Sequence, residues 1–312
     1  MSSTEPIRRV LQLREINSEI TTDPTAFIRA ECDRYRASVQ EVCARLNDQN
    51  VRRRVLLLAG PSSSGKTTTA NLLCEGLRRG GVDAFVVSLD DFYRGRGLAP
   101  QLPDGSFDYE SPEALDLPQL AACIRSLLEE GRAMMPQYDF KAGAPKAEKK
   151  ELVLTQRAVV IFEGIHALCP ALTERLPKKH VKKLFIHTRS RFYDGEEMLL
   201  SRREIRLVRR MVRDDKHRGT NASQTLSMWP QVLHGEDTYL FPYADAVDMT
   251  IDTTHAFEPC MLATQALPLL HTISADHPQG GEACRLVRAL ERFYPIAHES
   301  LPNDCILREF LE

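Results

Sequence analysis

The sequence is poor in the features that mark many functional classes. Its 312 residues carry a net charge of only −2, which gives no electrostatic case for nucleic acid or a membrane surface as the main partner. No apolar run approaches membrane-spanning length, and the first residues lack an apolar signal core. The eight cysteines include no Cys-x-x-Cys pair, so their spacing suggests neither a zinc site nor a redox motif. Free thiols in a reducing, cytoplasmic compartment are the expectation. Internal repeats and low-complexity tracts are missing, as are an Asn-Lys-x-Asp guanine reader and an ABC-type signature. What remains is an ordinary globular composition, 43% hydrophobic and 27% charged. It is long enough for one large or two small domains with a sizeable core.

Against this plain background one segment stands out. Residues 60 to 67 read Gly60-Pro61-Ser62-Ser63-Ser64-Gly65-Lys66-Thr67, a complete G-x-x-x-x-G-K-[ST] phosphate-binding loop. An apolar run, Val55 to Ala59, precedes it, and a helical pattern from Thr68 to Arg79, closed by Gly80-Gly81, follows it. Strand, loop and helix are the context that gives the motif meaning. Backbone N–H groups of Gly60, Ser62, Ser63, Ser64 and Gly65 can curl around phosphate oxygens, and the helix N-terminus adds its positive dipole end. Lys66 would reach the β- and γ-phosphates, Thr67 would hold Mg²⁺, and Thr68 completes the nucleotide-binding set.

Further elements follow in alternation. A helix is expected over about 24–46, and strands over 84–88, 158–162, 184–187 and 246–251. A helical stretch starts at Ser111-Pro112-Glu113 and runs to Gly131, with a break near Pro118. Residues 141–151 read as a loop or hairpin tip, and 196–213 as a long basic helix. Strands alternating with helices point to an α/β fold with a parallel sheet and right-handed crossovers. The expected organisation is an N-terminal helical extension (1–52), a phosphate-loop α/β domain (53–256) and a C-terminal helical appendage (257–312).

Three more segments carry chemistry. Ser88-Leu89-Asp90-Asp91-Phe92-Tyr93 closes the second strand, where ligand crevices of open α/β sheets lie. Side chains at successive strand positions diverge, and Asp90 is the candidate base for an attacking hydroxyl. Val159 to Gly164 is an apolar strand ending in Glu163, a candidate Mg²⁺-linked carboxylate. The segment 202–218 is rich in arginine, and Arg206, Arg209, Arg210 and Arg213 share one helical face. Beside a phosphate loop, such a face reads as a lid that stabilises the moving phosphoryl group. A solvated face, or a surface for RNA or anionic lipid, are the alternatives.

Taken together, GPSSSGKTT, VVSLDDFY, YESPEALD, QYDF, VVIFEGIHAL and RLVRRMVRD followed by HRG resemble the uridine kinase and phosphoribulokinase family of P-loop kinases. They occur in the family's order across about residues 53–252. SMWPQVLHGEDTYLFPYADAVD and CILREF resemble its uridine kinase-like nucleoside kinase branch. The resemblance implies a P-loop NTPase-type parallel sheet flanked by helices, with a helical lid. It also implies use of ATP and Mg²⁺, and a small nucleoside-like substrate. It casts Asp90 as the acid that activates the 5′-hydroxyl. Tyr93, Tyr109, Glu110 and Tyr138 become lining of the nucleoside pocket, with Arg206, Arg218 and Gln224 as further contacts. Arg209, Arg210 and Arg213 fall in the lid region, so Lys66, Arg209 and Arg213 join Asp90 as catalytic candidates. One departure concerns the base: the family places a His shortly after Tyr-Asp-Phe, and Gly143 stands there instead. The expected activity is phosphorylation of a primary hydroxyl, first that of uridine or cytidine. Alternatives are a sugar, polyol or pantothenate-like acceptor, a nucleotide-dependent regulator, or an RNA-binding protein. A homo-oligomer stays open.

Overall fold

The structure is a computed structural model that describes residues 9–47, 53–101, 105, 107–297 and 301–312. The described chain begins β1 (Val10–Gln12), α1 (Leu13–Thr22), α2 (Pro24–Leu46), β2 (Arg53–Ala59), α3 (Lys66–Arg79) and β3 (Asp83–Ser88). It continues α4 (Leu117–Glu129), β4 (Arg132–Met135), β5 (Tyr138–Asp139), β6 (Ala144–Pro145), β7 (Lys150–Val153), β8 (Ala158–Glu163), α5 (Pro170–Thr173) and β9 (Val181–His187). It ends β10 (Arg191–Asp194), β11 (Glu197–Leu200), α6 (Arg202–Arg218), α7 (Ala222–Tyr239), β12 (Met249–Asp252), α8 (Glu258–His271), α9 (Gly280–Leu290) and α10 (Arg308–Leu311).

The central sheet is parallel throughout, in the order β3-β8-β2-β9-β12. Its inner strands β2 and β8 are nearly continuous apolar runs because both faces are covered. Period-two alternation divides them. Leu56, Leu58, Val159, Ile161, Leu184 and Ile186 face one core, shared with α2, α3, α6, α8 and the C-terminal segment. Val55, Leu57, Ala59, Val160, Phe162 and Phe185 face the other, shared with α4. The N-terminal helices and the C-terminal residues thus pack into the same core as the sheet.

The stretch read as helical from Ser111 is interrupted near Pro118 as expected: a 3-10 turn over Pro112–Ala114 ends at extended Leu115, and Pro118 sits in the first turn of α4, whose start is capped by Asp116 accepting the Gln119 N–H at 2.9 Å. Other element boundaries differ from the sequence reading, each for a local reason. Residues 196–201 are not helical. β10 and β11 form a hairpin turning at Gly195, whose φ is +58°. Helix α6 begins only after Ser201, where Ser201 and Glu204 form a reciprocal capping box. The helix therefore ends at Arg218, with Gly219 in the left-handed conformation. α7 lies in a stretch for which the sequence reading had no element.

Strand register builds the site. Glu163 is the last residue of β8, opposite Leu58 of β2 and Ser88 of β3. The phosphate loop leaves β2 and the Asp90-Asp91 turn leaves β3. All three ends meet at the carboxyl edge of the sheet, where crevices of such folds lie.

Candidate active site

The phosphate loop is held in an unusual backbone shape. Gly65 has φ +84° and caps α3, and Ser63 is the one non-glycine with positive φ (57°) among the described residues. Strain of that kind persists where the surroundings enforce it. A side chain on Gly60 would meet Ser64 Oγ at 2.6 Å and Ile186 Cγ1 at 2.9 Å, so only glycine fits there. The hydroxyls of Ser63 and Ser64 are buried and make no hydrogen bond. Buried polar atoms without partners require an explanation, and a polyphosphate seated on the loop supplies one. Lys66 Nζ donates to the Pro61 carbonyl at 3.3 Å, so its ammonium arches over the loop.

Acidic groups converge on that lysine. The Thr67 hydroxyl lies 3.5 Å from Glu163 Oε1. Burial lifts the Glu163 carboxyl above its ordinary range, with Lys66 opposing. Asp90 is exposed to solvent. The surrounding protein raises its carboxyl too, Lys66 and Arg218 oppose the rise and Asp91 adds to it. The two neighbouring acids have separate roles. Asp90 faces the cations, whereas Asp91 Oδ1 accepts the Tyr138 backbone N–H at 3.1 Å and ties the β5–β6 hairpin down. The Thr67 hydroxyl and the carboxylates of Glu163 and Asp90 are oxygen ligands suited to a hard divalent cation, while the Lys66 ammonium suits phosphate oxygens. The loop and this set fit a nucleotide polyphosphate with its Mg²⁺.

Aromatic side chains lie next to Asp90. The rings of Tyr93 and Tyr138 lie 5.7 Å apart, and the Tyr93 hydroxyl donates to the Tyr109 carbonyl at 3.3 Å. Tyr109 itself is exposed. Glu110 packs over Gly235 of α7, where an added Cβ would lie 2.7 Å from Glu110 Cβ. Burial raises its carboxyl, and Arg210 opposes. Gly143, with φ +69°, is covered by the stem of Arg96, whose backbone N–H donates to the Gly143 carbonyl at 2.8 Å. Arg96 thus occupies the space above the position where a histidine was expected.

The arginines divide into two groups. Arg210, Arg213 and Arg218 gather on the buried carboxylate of Asp214, at 3.1, 2.7 and 3.5 Å. Three cations on one anion leave positive charge at the crevice mouth. Arg210 also donates to Ser62 Oγ at 2.9 Å. The other two depart from expectation. Arg206 is not a pocket contact: it is buried, pairs with Glu236 through both amino groups at 2.7 and 2.8 Å, and donates to the Ser62 carbonyl. Arg209 is not presented to a moving phosphoryl group. It pairs with buried Glu258 at 2.6 Å and donates to the Ser63 and Thr253 carbonyls. The first half of α6 is therefore core, and the expected lid narrows to its last two turns. Gln224 is also placed otherwise; it is exposed, and its amide oxygen accepts the Asn221 N–H in the capping box of α7.

One further expectation changes. Thr68 is not a free hydroxyl, because it donates to Glu309 of α10 at 2.5 Å. Gly164 makes room for Leu89, whose Cβ an added side chain would meet at 2.7 Å, and not for a ligand. His166 is buried with both ring nitrogens unpartnered, and burial lowers it to about 4. The sequence reading missed Glu236, Asp214, Arg96 and Glu309. Glu236 accepts the Ser62 N–H at 2.8 Å, yet it comes from α7, far along the chain, and no local pattern marks it.

A parallel sheet in this order, with a glycine-rich loop from its central strand and a lysine, acids and arginines gathered at its carboxyl edge, defines a P-loop kinase. Residues 55–257 match the model of the Phosphoribulokinase / Uridine kinase family, and the chain belongs to that family. It is 26% identical over 237 residues to a uridine kinase of Lactobacillus johnsonii, covering 72% of this chain and 99% of that one. It is 29% identical over 180 residues to a uridine kinase of Deinococcus deserti, covering 58% and 77%. It is also 29% identical over 198 residues to the mouse protein Uridine-cytidine kinase-like 1, covering 62% of this chain but only 32% of the mouse protein. Among the described residues, no helix is long and apolar enough to cross a membrane.

Proposed function

We propose that this chain transfers the γ-phosphate of ATP to the primary hydroxyl of a nucleoside-like acceptor, first the 5′-hydroxyl of uridine or cytidine. The observation that carries the reading is the placement of Asp90. Its carboxyl lies within electrostatic reach of Lys66 on the phosphate loop and Arg218 on α6, and also of Tyr93, whose ring is 5.7 Å from that of Tyr138. A base there accepts a proton from a hydroxyl held against the rings. Glu110 would bridge vicinal hydroxyls of a ribose, and the tyrosines would flank a flat ring. Lys66 and the loop amides would hold the phosphates, and Thr67 and Glu163 the Mg²⁺. ATP supplies the phosphoryl group, and Mg²⁺ neutralises charge on its oxygens. Arg210, Arg213 and Arg218 would stabilise charge spreading over the moving group.

A second reading rests on Arg96. A guanidinium above Gly143 suits an acceptor with a carboxylate or a carbonyl-rich edge, which a pantothenate-like acid offers as well as a pyrimidine. An ATP-consumption screen over nucleosides, sugars, polyols and pantothenate tests both. Highest kcat/KM for uridine or cytidine supports the first reading. Turnover only with an acidic acceptor supports the second and overturns the first.

A further inference from the structure

We infer that Cys32, His255 and Cys305 form a binding site for a thiophilic d10 cation, Zn²⁺ above all, that fastens the C-terminal segment beside the phosphate loop. The three residues are 2%, 0% and 2% exposed, and their donor atoms all lie within 4.8 Å of one another. They come from α2, from the turn after β12, and from the stretch before α10, so only the folded chain assembles them.

The imidazole is already oriented for coordination. His255 Nδ1 lies 3.2 Å from the Thr253 carbonyl oxygen, which places the proton on Nδ1. Nε2 is then a bare lone pair, and it is buried with no hydrogen-bond partner. A ligand histidine held by a backbone carbonyl through its other nitrogen is the usual outer-shell arrangement of metal sites. An unpartnered buried nitrogen calls for an explanation, and an ion shared with the two neighbouring thiols supplies one.

Charge and size agree. Two thiolates and one neutral imidazole balance a +2 ion, so the filled site is neutral, as a fully buried site requires. Zinc bonds of about 2.3 Å to sulfur and about 2.0–2.1 Å to nitrogen put tetrahedral ligand atoms roughly 3.5–3.8 Å apart. The ligand atoms lie within 4.8 Å of one another, so a contraction of at most about 1.3 Å meets that requirement. Loading releases one proton from each thiol to solvent, and the fourth position would be left to a water molecule, as in other Cys₂His zinc sites.

The location gives the site a consequence. Ile306, next to Cys305, packs on Gly65 of the phosphate loop, and Glu309 accepts the Thr68 hydroxyl at 2.5 Å. Tyr35, one turn after Cys32 on α2, shares a 2.7 Å hydrogen bond with Thr69. An ion joining Cys32 to Cys305 therefore grips the first turn of α3 from both sides.

The test uses the full chain without a polyhistidine tag, purified under reducing conditions. Elemental analysis is expected to give about one zinc per chain. Cys32→Ser, Cys305→Ser and His255→Ala are each expected to lower metal content by about tenfold or more, while Cys284→Ser, at an exposed position, leaves it unchanged. Cobalt added to chelator-treated wild type should give thiolate-to-metal charge-transfer absorption that Cys305→Ser lacks. Since a variant could fail to fold, wild type is also followed by hydrogen exchange. Exchange across 301–312 should rise on chelation and fall again when Zn²⁺ alone is added back. Metal-free protein that does not take up Zn²⁺, with exchange unchanged, overturns the inference.

Discussion

The buried Arg206–Glu236 pair permits a direct test of whether Arg206 serves the fold or the acceptor. Both side chains are nearly sealed from solvent, at 2% and 0% exposure, and the guanidinium also lies 5.3 Å from the Trp229 ring. Removing one partner leaves a buried charge unpaired, which costs about 3–5 kcal/mol. Against a total stability of about 5–15 kcal/mol, that is a large fraction. At about 2 °C per kcal/mol for a chain of this size, Arg206→Met or Glu236→Leu should lower Tm by about 6–10 °C. Glu236→Leu carries an extra effect, because the Ser62 N–H loses its acceptor. The double variant removes both charges together and should be more stable than either single one, since a buried pair replaced by apolar groups is often close to neutral. Thermal unfolding by circular dichroism gives Tm, and steady-state kinetics at a temperature where all variants are folded gives KM for the acceptor. If Arg206→Met keeps the wild-type Tm but raises acceptor KM, the structural assignment is wrong and Arg206 is a pocket residue after all.

Other outcomes follow from the same geometry. Asp90→Asn should lower kcat by about 10²–10⁴-fold while ATP still binds by calorimetry; a loss below tenfold would remove Asp90 from the role of base. The Asp90 carboxyl is raised in the fold, and the base must be ionised. Activity should therefore fall on acidification at a pH above the usual aspartate range. Asp91→Asn removes a neighbouring negative charge, favours the ionised form, and should move that acidic limb to lower pH. Arg218→Gln removes a cation and should move it higher. A limb unaffected by either change would mean that another group controls it. Asp91→Asn should also loosen the hairpin carrying Tyr138, seen as faster exchange at 138–145. Finally, Arg96→Ala should weaken use of the preferred acceptor by roughly ten- to hundredfold in kcat/KM without altering KM for ATP. Equal kcat/KM values would show that Arg96 does not touch the acceptor.

Much of this protein was fixed by local pattern. The phosphate loop needs glycines at set positions between a buried strand and a helix, and each requirement is written in consecutive residues. The strands of a two-sided parallel sheet are apolar runs, so Val55 to Ala59 and Val159 to Phe162 were legible without coordinates. The span of α2 was legible too, because Asp23 and Pro24 mark its start in the sequence. The choice of Asp90 over Asp91 rests on its place in the strand-end motif and on the family resemblance, because divergence of successive side chains says only that the two face different ways.

What sequence pattern could not decide was pairing across distance. The helical wheel puts Arg206 and Arg209 on the same face as Arg210 and Arg213. Only the packing of α7 and α8 against α6 brings Glu236 and Glu258 to the first two and makes them interior ion pairs. Gly143 reads as a missing histidine until the loop before it lays Arg96 over the gap. The cysteines have no metal-like spacing, because Cys32 and Cys305 lie at opposite ends of the chain. They come within reach of His255 only because the terminal segments pack on the same face of the sheet. Local periodicity specifies which elements form and which face is apolar; the partners of a buried charge or thiol are set by which elements the core brings together.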